Sequence, residues 1–228
     1  MGIQRAAVGG RGWAVAALLA ALAGWPALAQ APADAPDFEQ VFSEQGEPGQ
    51  VHFVAEYRNG SGLHRLELWR DGSTRVRRRT DQRLDTWVSR PAGEAEWHVV
   101  MLDHQRKIRT DIDRSNLYRI GQFADWFGLT HGLSRPKGSY RLSPADPVGQ
   151  PRPKPLAACQ WWRLERADQV SQVCWSSALK LPLQIRNGQG ELLWRVKAVD
   201  LKPQGERPFQ IDDQGYLRND ANADISAD

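Results

Sequence analysis

The feature that most constrains the fold of this chain is an alternation of apolar and polar residues from about residue 51, interrupted by turn dipeptides. A two-residue period is typical of antiparallel strands. Asn59-Gly60, Asp71-Gly72 and Asn187-Gly188 supply residues that readily adopt the positive φ of tight hairpin turns. The predicted strands are 51–58, 63–70, 74–80, 84–90, 96–103, 106–112, 158–166, 170–177, 182–187 and 191–200.

Two segments have helical spacing instead. Asp37, followed by apolar residues at 38, 41 and 42, predicts one short helix. The segment 113–129 predicts a longer amphipathic helix, because its apolar residues recur every three or four positions. Those apolar residues are Leu117, Ile120, Phe123, Ala124 and Phe127.

Strands joined as hairpins, with two helices, predict an α+β fold built on a large, twisted antiparallel sheet of about ten strands. The strand 96–103 carries apolar residues on both faces, with Trp97, Val99 and Met101 on one of them. A sheet that is solvated on one side alternates cleanly, so this sheet is expected to be partly covered on both faces. The helix at 113–129 is the expected cover.

The first 29 residues have the form of a secretory signal peptide: a charged start, an apolar core and a small-x-small site ending at Ala29. Cleavage there removes two arginines and no acids, which lowers the formal net charge from +3 to +1. This balance argues against a nucleic-acid partner. No later apolar run approaches the ~20 residues of a transmembrane helix. The predicted organisation is a signal peptide at 1–29, a disordered leader at 30–36, a single domain at 37–211 with a proline-rich connection at 143–157, and a polar tail at 212–228.

The chain has two cysteines, Cys159 and Cys174, and an even count in an exported protein predicts a disulfide. The alternative, half of a metal site, lacks further ligands nearby. A tight turn centred between Arg166 and Ala167 would place the two cysteines directly opposite each other on neighbouring strands, close to the geometry of a disulfide.

The order of these elements resembles the LolA-like superfamily, which includes periplasmic lipoprotein-sorting carriers and RseB-type envelope-stress regulators. The stretch Cys174–Ile185, with its Leu181-Pro182-Leu183 entry into a strand, carries the resemblance, and Gly190–Trp194 also fits. The resemblance implies a half-barrel whose concave face, covered by one or two helices, holds an apolar or acylated ligand. The residues expected to line that cavity are Trp97, Val99, Met101, Leu117, Ile120, Phe123 and Phe127. The same side chains could instead fill a core.

A cluster of arginines on the predicted strand 74–80 is the strongest charge feature. Alternation places Arg75, Arg77 and Arg79 on one face, where they could bind an anionic partner such as lipid headgroups or an acidic protein surface. The other interpretation is a solvated strand face, because Asp71, Asp81 and Asp85 lie in the same stretch.

The sequence offers little support for catalysis. The five histidines are scattered without the spacing that metal sites usually show, and there is no nucleophile elbow. We therefore expect a monomeric, periplasmic, non-enzymatic binding protein without cofactor or metal, which shields a lipid or lipoprotein and hands it to an envelope partner. The alternatives are an RseB-like regulatory or scaffold module that acts by protein contact, and an unrecognised hydrolase.

Overall fold

The computed structural model describes residues 36–60, 62–119, 125–146, 153–167 and 169–226. The predicted signal peptide, nearly all of the leader, and the cavity candidates Ile120 and Phe123 lie outside these residues. The strands are β1 Gln50–Asn59, β2 Gly62–Asp71, β3 Arg75–Thr80, β4 Leu84–Ser89, β5 His98–Asp103, β6 Ile108–Asp113, β7 Arg141–Pro144, β8 Gln160–Glu165, β9 Val170–Ser176, β10 Leu181–Asn187, β11 Leu192–Asp200 and β12 Leu217–Asp220. The α-helices are α1 Phe38–Val41, α2 Arg114–Arg119, α3 Trp126–His131 and α4 Ala221–Ser226, and a 3-10 turn spans Arg207–Phe209.

All twelve described strands belong to one unclosed sheet, in the order β12-β6-β5-β4-β3-β2-β1-β11-β10-β9-β8-β7. Two antiparallel meanders, β1–β6 and β7–β11, meet at the pair β1–β11. Every pairing is antiparallel except β12 with β6. The prediction of a large antiparallel sheet is therefore confirmed, and all ten predicted strands are present.

The two additional strands lie at the edges of the sheet. β7 has four residues and ends at Pro144, and β12 is a short polar strand within the segment expected to be a tail. Neither strand has an apolar alternation that sequence reasoning could detect. Segment 212–226 therefore takes part in the sheet through β12 and continues into α4.

The prediction of one continuous helix over 113–129 is wrong. Asp125 has an extended backbone, with φ −89° and ψ 156°, and it caps a separate helix, α3, by accepting a hydrogen bond from Gly128 N at 2.6 Å. α3 ends at Gly132, whose φ of 72° suits a glycine. The sequence carries this capping signal at Asp125, but the longer apolar period obscured it.

Register places two sets of side chains on opposite faces of the sheet. The face under α3, called the helix face, carries Phe53, Leu68, Val76, Val88 and Val99, all of which are buried. The opposite face, called the tail face, carries Trp87, Val100 and Leu102, which pack against Ile211 and Tyr216 of the C-terminal segment. The expectation of cover on both faces is thus met around these residues.

The disulfide prediction is confirmed: Cys159 and Cys174 are bonded, with Cα atoms 5.3 Å apart. The predicted register is wrong, because Cys174 lies opposite Trp161 rather than Cys159. Arg166 and Gln169 exchange backbone hydrogen bonds, so the turn is tight but is centred one residue later than predicted. Cys159 lies just before β8 and reaches Cys174 from outside the ladder.

Candidate functional site

A cavity of about 860 Å³, called the tryptophan cavity, lies beside α2 and α3. Trp126 begins α3, where Asp125 caps the helix, and Trp97 directly precedes β5. Their ring centroids are 6.1 Å apart, and Leu117 and Tyr118 of α2 also line the space. The volume lies within the range of about 300–1,000 Å³ that is common for small-molecule sites.

The lining of this cavity is rich in cations. Among the described residues that line it, the cations are Arg90, Arg114, Arg135, Lys137 and Arg166, and the one carboxylate is Asp125. Two of these guanidinium groups stack on the tryptophans: the Cζ atom of Arg90 lies 4.0 Å from the ring centroid of Trp126, and that of Arg114 lies 4.8 Å from the ring centroid of Trp97. The site therefore combines aromatic surface with positive charge, which suits a ligand that is apolar at one end and anionic at the other.

The rim cations differ in how they are balanced. Arg135 is paired with Glu39, Glu44 and Asp125, at 3.3, 3.1 and 3.6 Å. Arg90 instead donates from Nε to the carbonyl oxygen of Ser73 at 2.6 Å. Burial lowers the pKa of Arg90, and the charge of Glu44 only partly offsets that effect. Arg90 is consequently a partly desolvated cation directly above an indole face.

The predicted cavity residues separate into two groups. Trp97 and Leu117 line the tryptophan cavity. Val99 belongs to the buried core of the helix face, and Met101 packs against that core. Phe127 is fully buried between α1 and Trp175. The structure thus contains both arrangements that the sequence left open: an open space near Trp97 and a filled core elsewhere.

Sequence reasoning missed Trp126 and the rim cations. The only signal for Trp126 was its position after the capping residue Asp125. The rim cations Arg90, Arg135 and Arg166 come from segments widely separated in the sequence, so no local pattern connects them.

Carboxylates neutralise the arginines that were predicted to bind an anionic partner. Arg75, Arg77 and Arg79 do share the tail face, as alternation predicts. Arg75 pairs with Asp71 and Glu206. Arg77 and Arg79 both donate to Asp85, at 2.6 and 2.8 Å, and Asp85 is buried. These three arginines are therefore paired within the protein, and Asp71 and Asp85 supply the charge that the alternative interpretation weighed against them. Asp81 pairs with His64 instead, and the face is not solvated as that interpretation expected, because Asp85 is buried.

Arg77 lies between two tryptophans on this face. Its Cζ atom is 4.9 Å from the ring centroid of Trp69 and 4.8 Å from that of Trp87. The neighbouring space, about 710 Å³, is roofed by the C-terminal segment through Pro208 and Tyr216. Because Arg77 and Arg79 are both paired with the buried Asp85, this pocket is a less favourable site for an anionic ligand than the tryptophan cavity.

A buried ionic cluster joins β2 to α3. Arg70 Nη1 lies 3.2 Å from Glu47 Oε1 and 2.7 Å from His131 Nε2, and Arg70 and His131 are almost fully buried. Burial lowers the pKa of Arg70, and Glu47 opposes that effect. Glu44, Glu47 and His131 bring potential metal ligands within 4.8 Å of one another. The Arg70 guanidinium already supplies positive charge there, so the cluster is an internal ion-pair network.

Comparison with known proteins gives no family: no protein-family model matches the chain, and no curated protein matches it significantly. The resemblance to the LolA-like superfamily therefore stays a prediction. Among the described residues, none of the helices has the length and apolar character that crossing a membrane requires.

Proposed function

We propose that this protein is a non-enzymatic binding protein of the cell envelope, which shields an apolar or acylated ligand in the tryptophan cavity and passes it to an envelope partner. The single observation that carries the proposal is the 860 Å³ space beside Trp97 and Trp126. A scaffold that acts only by protein contact has no need of such a space. The disulfide is in keeping with an oxidising compartment such as the periplasm.

The chemistry of the lining supports an amphiphile rather than a purely apolar molecule. Indole and leucine side chains can cover an acyl chain, since apolar burial contributes about 25 cal/mol per Å². The cations at the rim would lie near the polar end of such a ligand. Hydrolysis finds less support, because the described residues that line the cavity do not include a histidine or a cysteine beside a base.

Native mass spectrometry of the full chain, purified from a periplasmic extract, tests the proposal directly. We expect an additional mass of an acyl-containing molecule, which is released on denaturation. The variant Leu117→Glu places a carboxylate in the cavity and should abolish this additional mass. Leu201→Glu is the matched control, because Leu201 is exposed and does not line the cavity. A folded wild-type protein that carries no such mass and binds no added amphiphile would overturn the proposal.

A further inference from the structure

Arg78 differs from the other arginines of β3. Alternation turns it to the helix face, in register with Leu68 of β2 and Thr86 of β4. The other three arginines of the strand each have a carboxylate partner. Among the described residues, no carboxylate lies within 4.0 Å of the Arg78 guanidinium, and no hydrogen bond joins it to another group. Arg78 is thus a cation on the interior side of the sheet without a counter-charge.

This guanidinium faces a second space, called the Arg78 cavity, of about 370 Å³. Its lining includes Tyr57, Arg58, Ser134 and Trp194, and none of the described residues that line it is acidic. The lining is therefore positively charged, with two arginines, and also offers the hydroxyl groups of Tyr57 and Ser134 as hydrogen-bond donors. A site of this composition favours an anionic group over a neutral one or a cation.

Partial burial makes the missing counter-charge costly, since Arg78 lies on the helix face and is half-buried. Desolvation lowers the pKa of Arg78, and among the described residues Tyr57 opposes the effect. A charge that is removed from water without a partner lowers stability. An anion that enters the cavity would restore the missing interaction, and hydrogen bonds between charged groups are stronger in partly desolvated surroundings than in water.

We infer that Arg78, with Tyr57, Arg58 and Ser134, forms a subsite for a phosphate or carboxylate group. Ser134 lines both this cavity and the tryptophan cavity, so the two spaces are neighbours. The inference rests on the proposed function where it assigns this group to the charged end of the amphiphile. A free phosphate ion could bind to the same groups, and the experiments below distinguish it from the headgroup of an amphiphile.

The test compares dodecyl phosphate with a neutral dodecyl ether of polyethylene glycol, both below their micelle concentrations, by isothermal titration calorimetry on the full chain. The wild type should bind dodecyl phosphate at least tenfold more tightly. Arg78→Met should remove this preference while leaving affinity for the neutral probe unchanged. Arg141→Met is the control, because it removes an exposed arginine that lines neither cavity, and it should keep the preference.

A second experiment distinguishes the headgroup of an amphiphile from a free phosphate ion. It compares the thermal unfolding of the protein in inorganic phosphate with that in chloride at equal ionic strength. Equal binding of both amphiphiles by the wild type would overturn the headgroup assignment and leave the proposed function intact. If neither amphiphile binds, the proposed function fails. Stabilisation by phosphate that Arg78→Met abolishes would then support a free-anion site. No effect of phosphate on the wild type, together with no preference between amphiphiles, would overturn the subsite altogether.

Discussion

Gly132 lies directly against the indole ring of Trp194: a Cβ atom placed on Gly132 would be 2.5 Å from Trp194 Cη2. The glycine ends α3, and Trp194 is a buried residue of β11. This contact sets how closely the helix approaches the middle of the sheet, and it forms one wall of the Arg78 cavity.

Replacing Gly132 with alanine should therefore destabilise the protein by about 2–4 kcal/mol. The positive φ costs about 1 kcal/mol for a residue with a Cβ, and overpacking against Trp194 adds about 1–3 kcal/mol. Gly46→Ala is the control, because Gly46 has a similar φ of 74° and a Cβ added there would meet no atom within 4 Å. Urea unfolding should show a clearly smaller loss for the control. Equal losses would mean that backbone conformation alone sets the cost at Gly132.

The Arg70–Glu47 pair should show strong coupling. Glu47→Gln leaves a buried guanidinium without its carboxylate, and we expect a loss of about 3–5 kcal/mol in the free energy of unfolding. Once Arg70→Met has removed the charge, Glu47→Gln should cost much less. A double-mutant cycle by chemical denaturation measures this difference, and strictly additive losses would refute the coupling.

Asp85 should make stability depend on acidic pH. Burial raises the pKa of its carboxyl, but hydrogen bonds from Arg79 and Arg77 outweigh burial and hold the pKa below the ordinary value of 3.8. The unfolded chain therefore takes up the proton first, and the contribution of Asp85 is complete above about pH 4 and declines as the pH falls below that value.

The variant Asp85→Asn should lose about 3 kcal/mol at neutral pH, and its difference from the wild type should narrow below pH 4. Asp146→Asn is the control, since Asp146 is exposed and has no ion pair among the described residues. Denaturation curves at several pH values provide the measurement. A difference that stays constant down to pH 2 would show that the ionised carboxylate is not responsible.

The disulfide should contribute about 3 kcal/mol by restricting the unfolded chain over a loop with a sequence separation of 15. The double variant Cys159→Ala, Cys174→Ala should show this loss, and reduction of the wild type should produce a similar one. Thiol labelling of the unreduced, denatured protein should detect no free thiol. Two reactive thiols per chain would contradict the bond.

Local pattern was sufficient to predict most of the sheet and insufficient for the site. The alternation and the turn dipeptides were enough to predict ten strands, because a hairpin depends on residues that are close together in the sequence. The partner of Cys174 was predicted two residues away from the observed one, Trp161, because the turn was placed one residue too early. β12 could not be foreseen, because its polar residues pair in parallel with a strand far away in the sequence.

The candidate site depends on contacts between distant segments. Arg90 reaches Trp126 across the helix face, and Glu47 is 84 positions from His131. The arginine run is evident in the sequence. In the structure, Arg78 lies on the opposite face of the sheet from Arg77 and Arg79, and it lacks the carboxylate partner that they have among the described residues. Only the three-dimensional arrangement distinguishes an arginine that is paired inside the protein from one that faces a cavity.

The β1–β11 pair has a consequence for folding order. The strands within each meander are joined by comparatively short connections, whereas β1 and β11 lie near opposite ends of the described chain. Local hairpins close at lower entropic cost, so this central ladder should form late in folding. Until it does, both of its strands present unpaired backbone groups. Every copy of the chain carries the same two strands, so β11 of one molecule can pair with β1 of another. Refolding at high protein concentration should therefore yield dimers that have exchanged meanders.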